Sequence, residues 1–142
     1  MTQKVECVTP KDTLTHAAGV MRDLDVGLLP VVDAQDGRMH MTGVITDRDI
    51  AVRHVAEGHG SDCLVEEAMS REDLAVARPD DDVDQVMRQM RERQVRRIPV
   101  VEDGRLIGII AQADLAVDYS NDSEVGRTVE GISEPARPLG RH

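Results

Sequence analysis

Gly43-Val44-Ile45-Thr46-Asp47-Arg48-Asp49-Ile50 reads as a buried strand running into the first turn of a helix, with a hydroxyl, a guanidinium and carboxylates at the junction. A second copy follows 65 residues later as Gly108-Ile109-Ile110-Ala111-Gln112-Ala113-Asp114-Leu115. Two strand-to-helix corners of one design in a chain of 142 residues imply an internal duplication.

Working outward from the first corner, Thr9-Pro10-Lys11-Asp12-Thr13-Leu14 opens a repeat. Val5 to Val8 suits a short strand, Pro10 stops it, and Asp12 or Thr13 can cap the helix that follows. Leu14, Ala17, Ala18, Met21 and Leu24 recur at helical spacing and give that helix one apolar face. Leu28 to Asp33 is a β-rich run, Asp36-Gly37 marks a turn, Met41 to Thr46 is the next strand, and Asp47 to Glu57 reads as a helix ended by Gly58 and Gly60. The order then repeats. Pro79 stands 69 residues after Pro10, and Val83, Val86, Met87 and Met90 take the places of Leu14, Ala17, Ala18 and Met21. Ile98 to Glu102 matches Leu29 to Asp33, and Asp103-Gly104 is a two-residue hairpin signal. Four more residues in the first hairpin change the offset from 69 to 65. Each unit thus reads β-α-β-β-α, a mixed α/β (α+β) design, with repeats over 1–62 and 63–119 and a polar tail over 120–142. A short helix is expected near Glu124 to Gly131, with the last residues loose.

Composition narrows the function classes. Hydrophobic residues make up 40% of the chain, yet it has no Phe, no Trp and one Tyr, so the core is aliphatic. A planar ligand would be gripped by Val, Ile, Leu and Met rather than stacked on aromatic rings. A formal charge of −10 disfavours nucleic acid, whose binding depends on neutralising phosphates. Cys7 and Cys63 form no spaced framework and read as reduced thiols of a cytoplasmic protein. No apolar stretch approaches the ~20 residues of a membrane span, and the first residues lack the apolar run of a signal peptide.

A duplicated β-α-β-β-α unit with a Pro-Val-Val strand, a hairpin and a Gly-h-h-Thr-x-x-Asp corner (h apolar) resembles a tandem pair of CBS domains over roughly residues 5 to 118. With no catalytic domain attached, the chain is similar to stand-alone CBS-pair proteins. Its strings Thr46 to Ile50 and Gln94 to Val100 resemble the actinobacterial hypoxic-response type. The resemblance implies two small sheets related by a pseudo-twofold, helices outside and a cleft between the repeats; a homodimer is expected because helices such as 13–25 and 82–94 have more apolar surface than one small sheet can cover. It also implies a regulatory module that senses AMP, ADP, ATP or S-adenosylmethionine as a ligand, with no cofactor required; the charge and the lack of a long apolar stretch argue against a nucleic-acid or membrane partner, and no enzyme is expected. A stress-response protein that uses the scaffold without a ligand is the alternative.

The family's corner Asp holds ribose hydroxyls and its corner Thr contacts phosphate, which implicates Thr46, Arg48, Asp49 and Asp114. Basic residues before the Pro-Val strand implicate Arg96 and Arg97, and the resemblance adds Val8, Thr9 and Pro30. Local chemistry alone leaves a second reading of Thr46 and Asp49 open, because Thr-x-x-Asp before a helix is also a capping box. The corners are unequal. The first has the hydroxyl but Gly27 and Leu28 before its strand, whereas the second has the arginines but Ala111 in place of the hydroxyl. On these residues the Thr46–Asp49 corner is expected to hold the ribose end more firmly. Arg88, Arg91 and Arg93 read as a solvated face. His54, His59 and Cys63 are a loose set of metal-ligating types, but Gly58 and Gly60 break the helix that would align them, so no metal is expected. Nothing resembles a nucleophile-base pair or a Gly-rich phosphate loop.

Overall fold

The computed structural model describes residues 6–35, 38–115 and 134–135. They fall into two compact units, one over Glu6–Leu74 and one from Ala75 onward. The sequence-based division at 62/63 falls inside the first unit. Val65, Ala68 and Met69 belong to the same buried cluster as Val8, Leu14, Leu29 and Ile45, so the connecting segment completes the first core.

In the first unit, α1 (Leu14–Leu24) starts where Thr13 Oγ1 accepts the His16 N–H at 3.0 Å. It ends where Asp25 turns left-handed at φ 57°. Its buried face is Leu14, Ala17 and Met21, whereas Ala18 and Leu24, expected on that face, are exposed. The antiparallel hairpin of β1 (Leu28–Gln35) and β2 (Arg38–Thr46) follows. Of the strand expected over Val5 to Val8, Val8 makes a single parallel bridge to Val31, and Val5 lies outside the described residues. Burying a side chain such as Leu14 or Ile45 contributes about 1.5–3 kcal/mol.

The helix expected over 47–57 is shorter and not uniform. α2 (Asp47–Ile50) runs directly into one wide π turn over Ala51–Val55, where the Ala56 N–H donates to Ala51 O at 2.9 Å. The chain then returns through a 3-10 turn at Val65–Glu67, and Ser70 closes on β2: Val44 N–H donates to Ser70 O at 3.0 Å and Ser70 N–H to Val44 O at 2.8 Å. Gly43 is required there, because a Cβ would strike the Ser70 carbonyl oxygen.

The second unit restates these devices. α3 (Val83–Arg93) buries Val83, Val86 and Met90 and ends at left-handed Gln94, φ 58°, which stands 69 residues after Asp25. β3 (Arg97–Glu102) and β4 (Arg105–Ala111) pair antiparallel. Their register shifts between Val100 and Val101, the counterpart of the shift between Val31 and Val32 in the first hairpin. A further two-residue strand β5 (Glu134–Pro135), within the polar tail, pairs with β4 at Ile109 and Gly108. The helix anticipated near Glu124 to Gly131 lies outside the described residues. Among the described residues no helix is long and apolar enough to cross a membrane.

Candidate functional site

Both corners are built by one backbone route. β2 delivers Thr46 in extended conformation, and the Asp47 N–H donates to Gly27 O at 3.0 Å, which seats the helical turn beside the start of β1. In the second unit the Gln112 N–H donates to Arg96 O at 2.8 Å, and Arg97 pairs with Ala111. The two sequence strings Arg96-Arg97 and Ala111 to Asp114 therefore meet at one corner.

Their side chains behave differently. Thr46 Oγ1 accepts the Asp49 N–H at 3.0 Å while Asp49 Oδ2 accepts the Thr46 N–H at 3.1 Å, a reciprocal capping box. Ser70 Oγ donates to the same Oδ2 at 3.4 Å, and Arg53 Nε lies 3.7 Å from Oδ1. The Asp49 side chain is only 12% exposed. Asp49 thus has structural work on both oxygens. Arg48 and Asp47 are exposed. Val8 and Pro30 are adjacent, with the Val8 N–H donating to Pro30 O at 3.0 Å. Both are buried, so of the three residues Val8, Thr9 and Pro30 only half-buried Thr9 presents appreciable surface, and its N–H is already donated to Asp12 Oδ2.

At the second corner Ala111 offers no hydroxyl. Asp114 is half-buried, Arg96 exposed and Arg97 half-buried. Among the described residues none of these three side chains has a hydrogen-bond or ion-pair partner. Two guanidinium groups and a carboxylate with no partner among the described residues have the chemistry to meet an anion and a diol. Arg53 and Ser70 escaped the sequence reading, although Arg53 stands at i+4 from Asp49, a helical ion-pair spacing that pointed to it.

The structure also brings together the set that the glycines were expected to scatter: the ligating atoms of His54, His59 and Cys63 lie within 4.8 Å of one another. The π turn and Gly58, at φ 77°, fold the chain back instead of ending it. Both cysteines are free thiols. Burial, then the neighbouring charges of Glu6 and Asp12, push the Cys7 thiol up to about 12. Cys63 is also raised, by desolvation and then by Glu67 and Asp62, against a lowering hydrogen bond from the Gly60 backbone.

The CBS domain profile matches residues 1–54 and 65–119, one match per repeat. The CBS domain-containing protein YhcV of Bacillus subtilis is 36% identical over 133 residues, covering 94% of this chain and 91% of that protein. Hypoxic response protein 1 of Mycobacterium tuberculosis is 36% identical over 116 residues, covering 82% of this chain and 79% of that protein. A crystal structure of Hypoxic Response Protein I, solved with two coordinated zinc ions, superposes with a TM-score of 0.63 at 36% identity, covering 80% of this chain and 89% of that one. CBSX2 in complex with AMP matches in fold, with a TM-score of 0.66 at 24% identity over 82% of this chain and 88% of that one. The duplicated unit, the repeated corner and these matches lead to one conclusion: the chain belongs to the CBS domain family and carries two CBS repeats.

Proposed function

We propose that this CBS pair is a regulatory module that binds an adenosine-containing ligand, with AMP, ADP, ATP and S-adenosylmethionine as the candidates, and that the second corner anchors it. Asp114 accepts hydrogen bonds from the ribose hydroxyls, and Arg96 and Arg97 neutralise phosphate. The observation that carries this reading is that Arg96 and Arg97 share a corner with Asp114 and that none of the three has a partner among the described residues. Charge-assisted contacts to phosphate are the strong class of hydrogen bond, and arginine presents them in pairs. The fold shared with CBSX2 makes AMP the first probe.

Such a ligand regulates only if it binds two states of the protein unequally. A homodimer supplies a second state, and exposed Val52 and Val55, the latter 65% exposed, give α2 and its π turn an apolar surface for a partner copy. Kinship with a hypoxic response protein makes stress the expected setting.

The first test uses the chain's own transparency. With no Trp and one Tyr, a co-purified adenine dominates the near-ultraviolet spectrum. The expected result is an adenine absorbance after purification, or calorimetric binding of at least one of the four ligands. A ligand-free spectrum with four flat titrations overturns the proposal in favour of a ligand-independent interaction protein on the same scaffold.

A further inference from the structure

We propose that His54, His59 and Cys63 form a metal site that takes a borderline-soft divalent cation of the zinc class, with two imidazoles, one thiolate and a fourth position open to water. The site lies wholly within the first unit and is independent of the nucleotide reading. Its ligand types exclude hard cations: magnesium and calcium want oxygen donors, whereas imidazole and thiolate together select zinc and its neighbours.

The geometry is close to what a tetrahedral ion requires. The donor atoms lie within 4.8 Å of one another. Bonds of about 2.1 Å to nitrogen and 2.3 Å to sulfur place tetrahedral donors about 3.3–3.6 Å apart. His59 is exposed and Cys63 half-buried, so both side chains have room to close the difference. The two imidazole rings stand 5.8 Å apart between centroids at 64°, edge toward face.

The backbone holds this arrangement without help from an ion. The His59 N–H donates to His54 O at 3.1 Å, five residues back, which continues the wide turn begun at Ala51. Such turns recur at functional sites because they re-aim side chains that a regular helix would spread. The Gly58 N–H donates to Val55 O at 3.0 Å, and its φ of 77° reverses the chain. Cys63 is pinned from the other side, where its carbonyl accepts the Leu14 N–H at 2.9 Å. Thr15 Oγ1 donates to Ser61 O at 3.0 Å and fixes the same loop against α1.

A second observation points to a ligand. His54 is only 7% exposed, and its Nδ1 is buried with no hydrogen-bond partner. Buried nitrogens are nearly always satisfied, and an ion is one of the few ways to account for one that is not. No other described side-chain nitrogen or oxygen is buried in this way, so the feature singles out one member of the cluster. Binding displaces the Cys63 thiol proton to solvent and forms the metal–sulfur bond, with no change of oxidation state. The bound ion ties the π turn to the loop over 58–63 and adds to the order that the backbone already gives that segment.

The test is a cobalt(II) titration of the full chain after treatment with a chelator, followed by displacement with zinc(II). The expected result is one cobalt per chain, with a thiolate-to-cobalt charge-transfer band and the intense visible bands of a tetrahedral centre. Cys63→Ser removes the charge-transfer band. His59→Ala, at an exposed position that leaves the fold intact, weakens zinc binding by at least about tenfold, since losing a ligand costs no less than losing a group that merely orients one. Zinc also slows amide hydrogen exchange over residues 54–63 in the parent chain. Absence of the charge-transfer band, its survival in Cys63→Ser, or unchanged zinc affinity in His59→Ala overturns the site and leaves the two rings as ordinary side-chain packing.

Discussion

The Thr46–Asp49 and Ala111–Asp114 corners have the same backbone and opposite side-chain economies. At the first, hydroxyl and carboxylate cap the helical turn reciprocally, and Ser70 and Arg53 take up the remaining capacity of Asp49. At the second, the missing hydroxyl leaves a carboxylate with no partner among the described residues, and two arginines stand where the first repeat has Gly27 and Leu28. Duplication allows the two copies to differ: at the first the polar motif is spent on capping, while at the second its groups have no partner among the described residues. A shared motif is therefore not a shared role, because a side chain already spent on the backbone has less to offer a ligand.

The largest effect expected of this comparison is at the closure that supports the first corner. Gly43→Ala drives a Cβ into the Ser70 carbonyl and to 2.6 Å from Met69 Cε, beside the Asp49–Ser70 contact. Overpacking of this kind costs about 1–3 kcal/mol, read by urea denaturation. A loss near zero would show that Ser70 does not constrain the first corner.

Cys7 separates the two repeats by pH, since its counterpart 69 residues on is Val76, which does not titrate. The folded thiol is held near 12, while the unfolded thiol ionises near its ordinary 9.0. Between these values the unfolded chain binds fewer protons than the folded one, so stability is full below the lower value and falls as pH rises. The slope contributed is at most about 1.4 kcal/mol per pH unit. Denaturation midpoints from pH 8 upward, about the usual range of a free thiol, should lose that component in Cys7→Ala; an unchanged slope would place the titration elsewhere.

The smallest effect is at the cap itself. Thr46→Ala removes the acceptor of the Asp49 N–H and should cost about 1 kcal/mol. The reverse change, Ala111→Thr, builds the missing hydroxyl, so it should bring Asp114 into a capping box and weaken nucleotide binding. Stability unchanged by the first, together with affinity unchanged by the second, would erase the distinction between the corners.

The fold was readable because its signals are local and duplicated: apolar spacing in α1 and α3, Pro-Val-Val strands, and turn residues at matching offsets. Three features were not readable. The π turn at Ala51–Val55 hides in a sequence that looks uniformly helical, because a bond to the fifth residue leaves no mark on apolar spacing. The approach of His54, His59 and Cys63 is hidden behind Gly58 and Gly60, which read as helix breakers, although a glycine at positive φ such as Gly58 can turn a chain back as readily as end a helix. The candidate aspartates stand in the motif, but the commitment of Asp49 also involves Ser70 and Arg53, partners 21 and 4 residues away that the motif does not include.

The most direct measurement sets Asp114→Asn against Asp49→Asn in calorimetric titrations with AMP and ATP. Both changes keep an oxygen acceptor and remove the charge. Asp114→Asn should lower affinity by about tenfold or more, the worth of one hydrogen bond to a charged group. Asp49→Asn should lower thermal stability while leaving the affinity of the folded protein within about twofold, since 0.4 kcal/mol or less of coupling is roughly what separated sites show. Binding abolished by Asp49→Asn and untouched by Asp114→Asn would contradict the division of roles and place the ribose at the first corner.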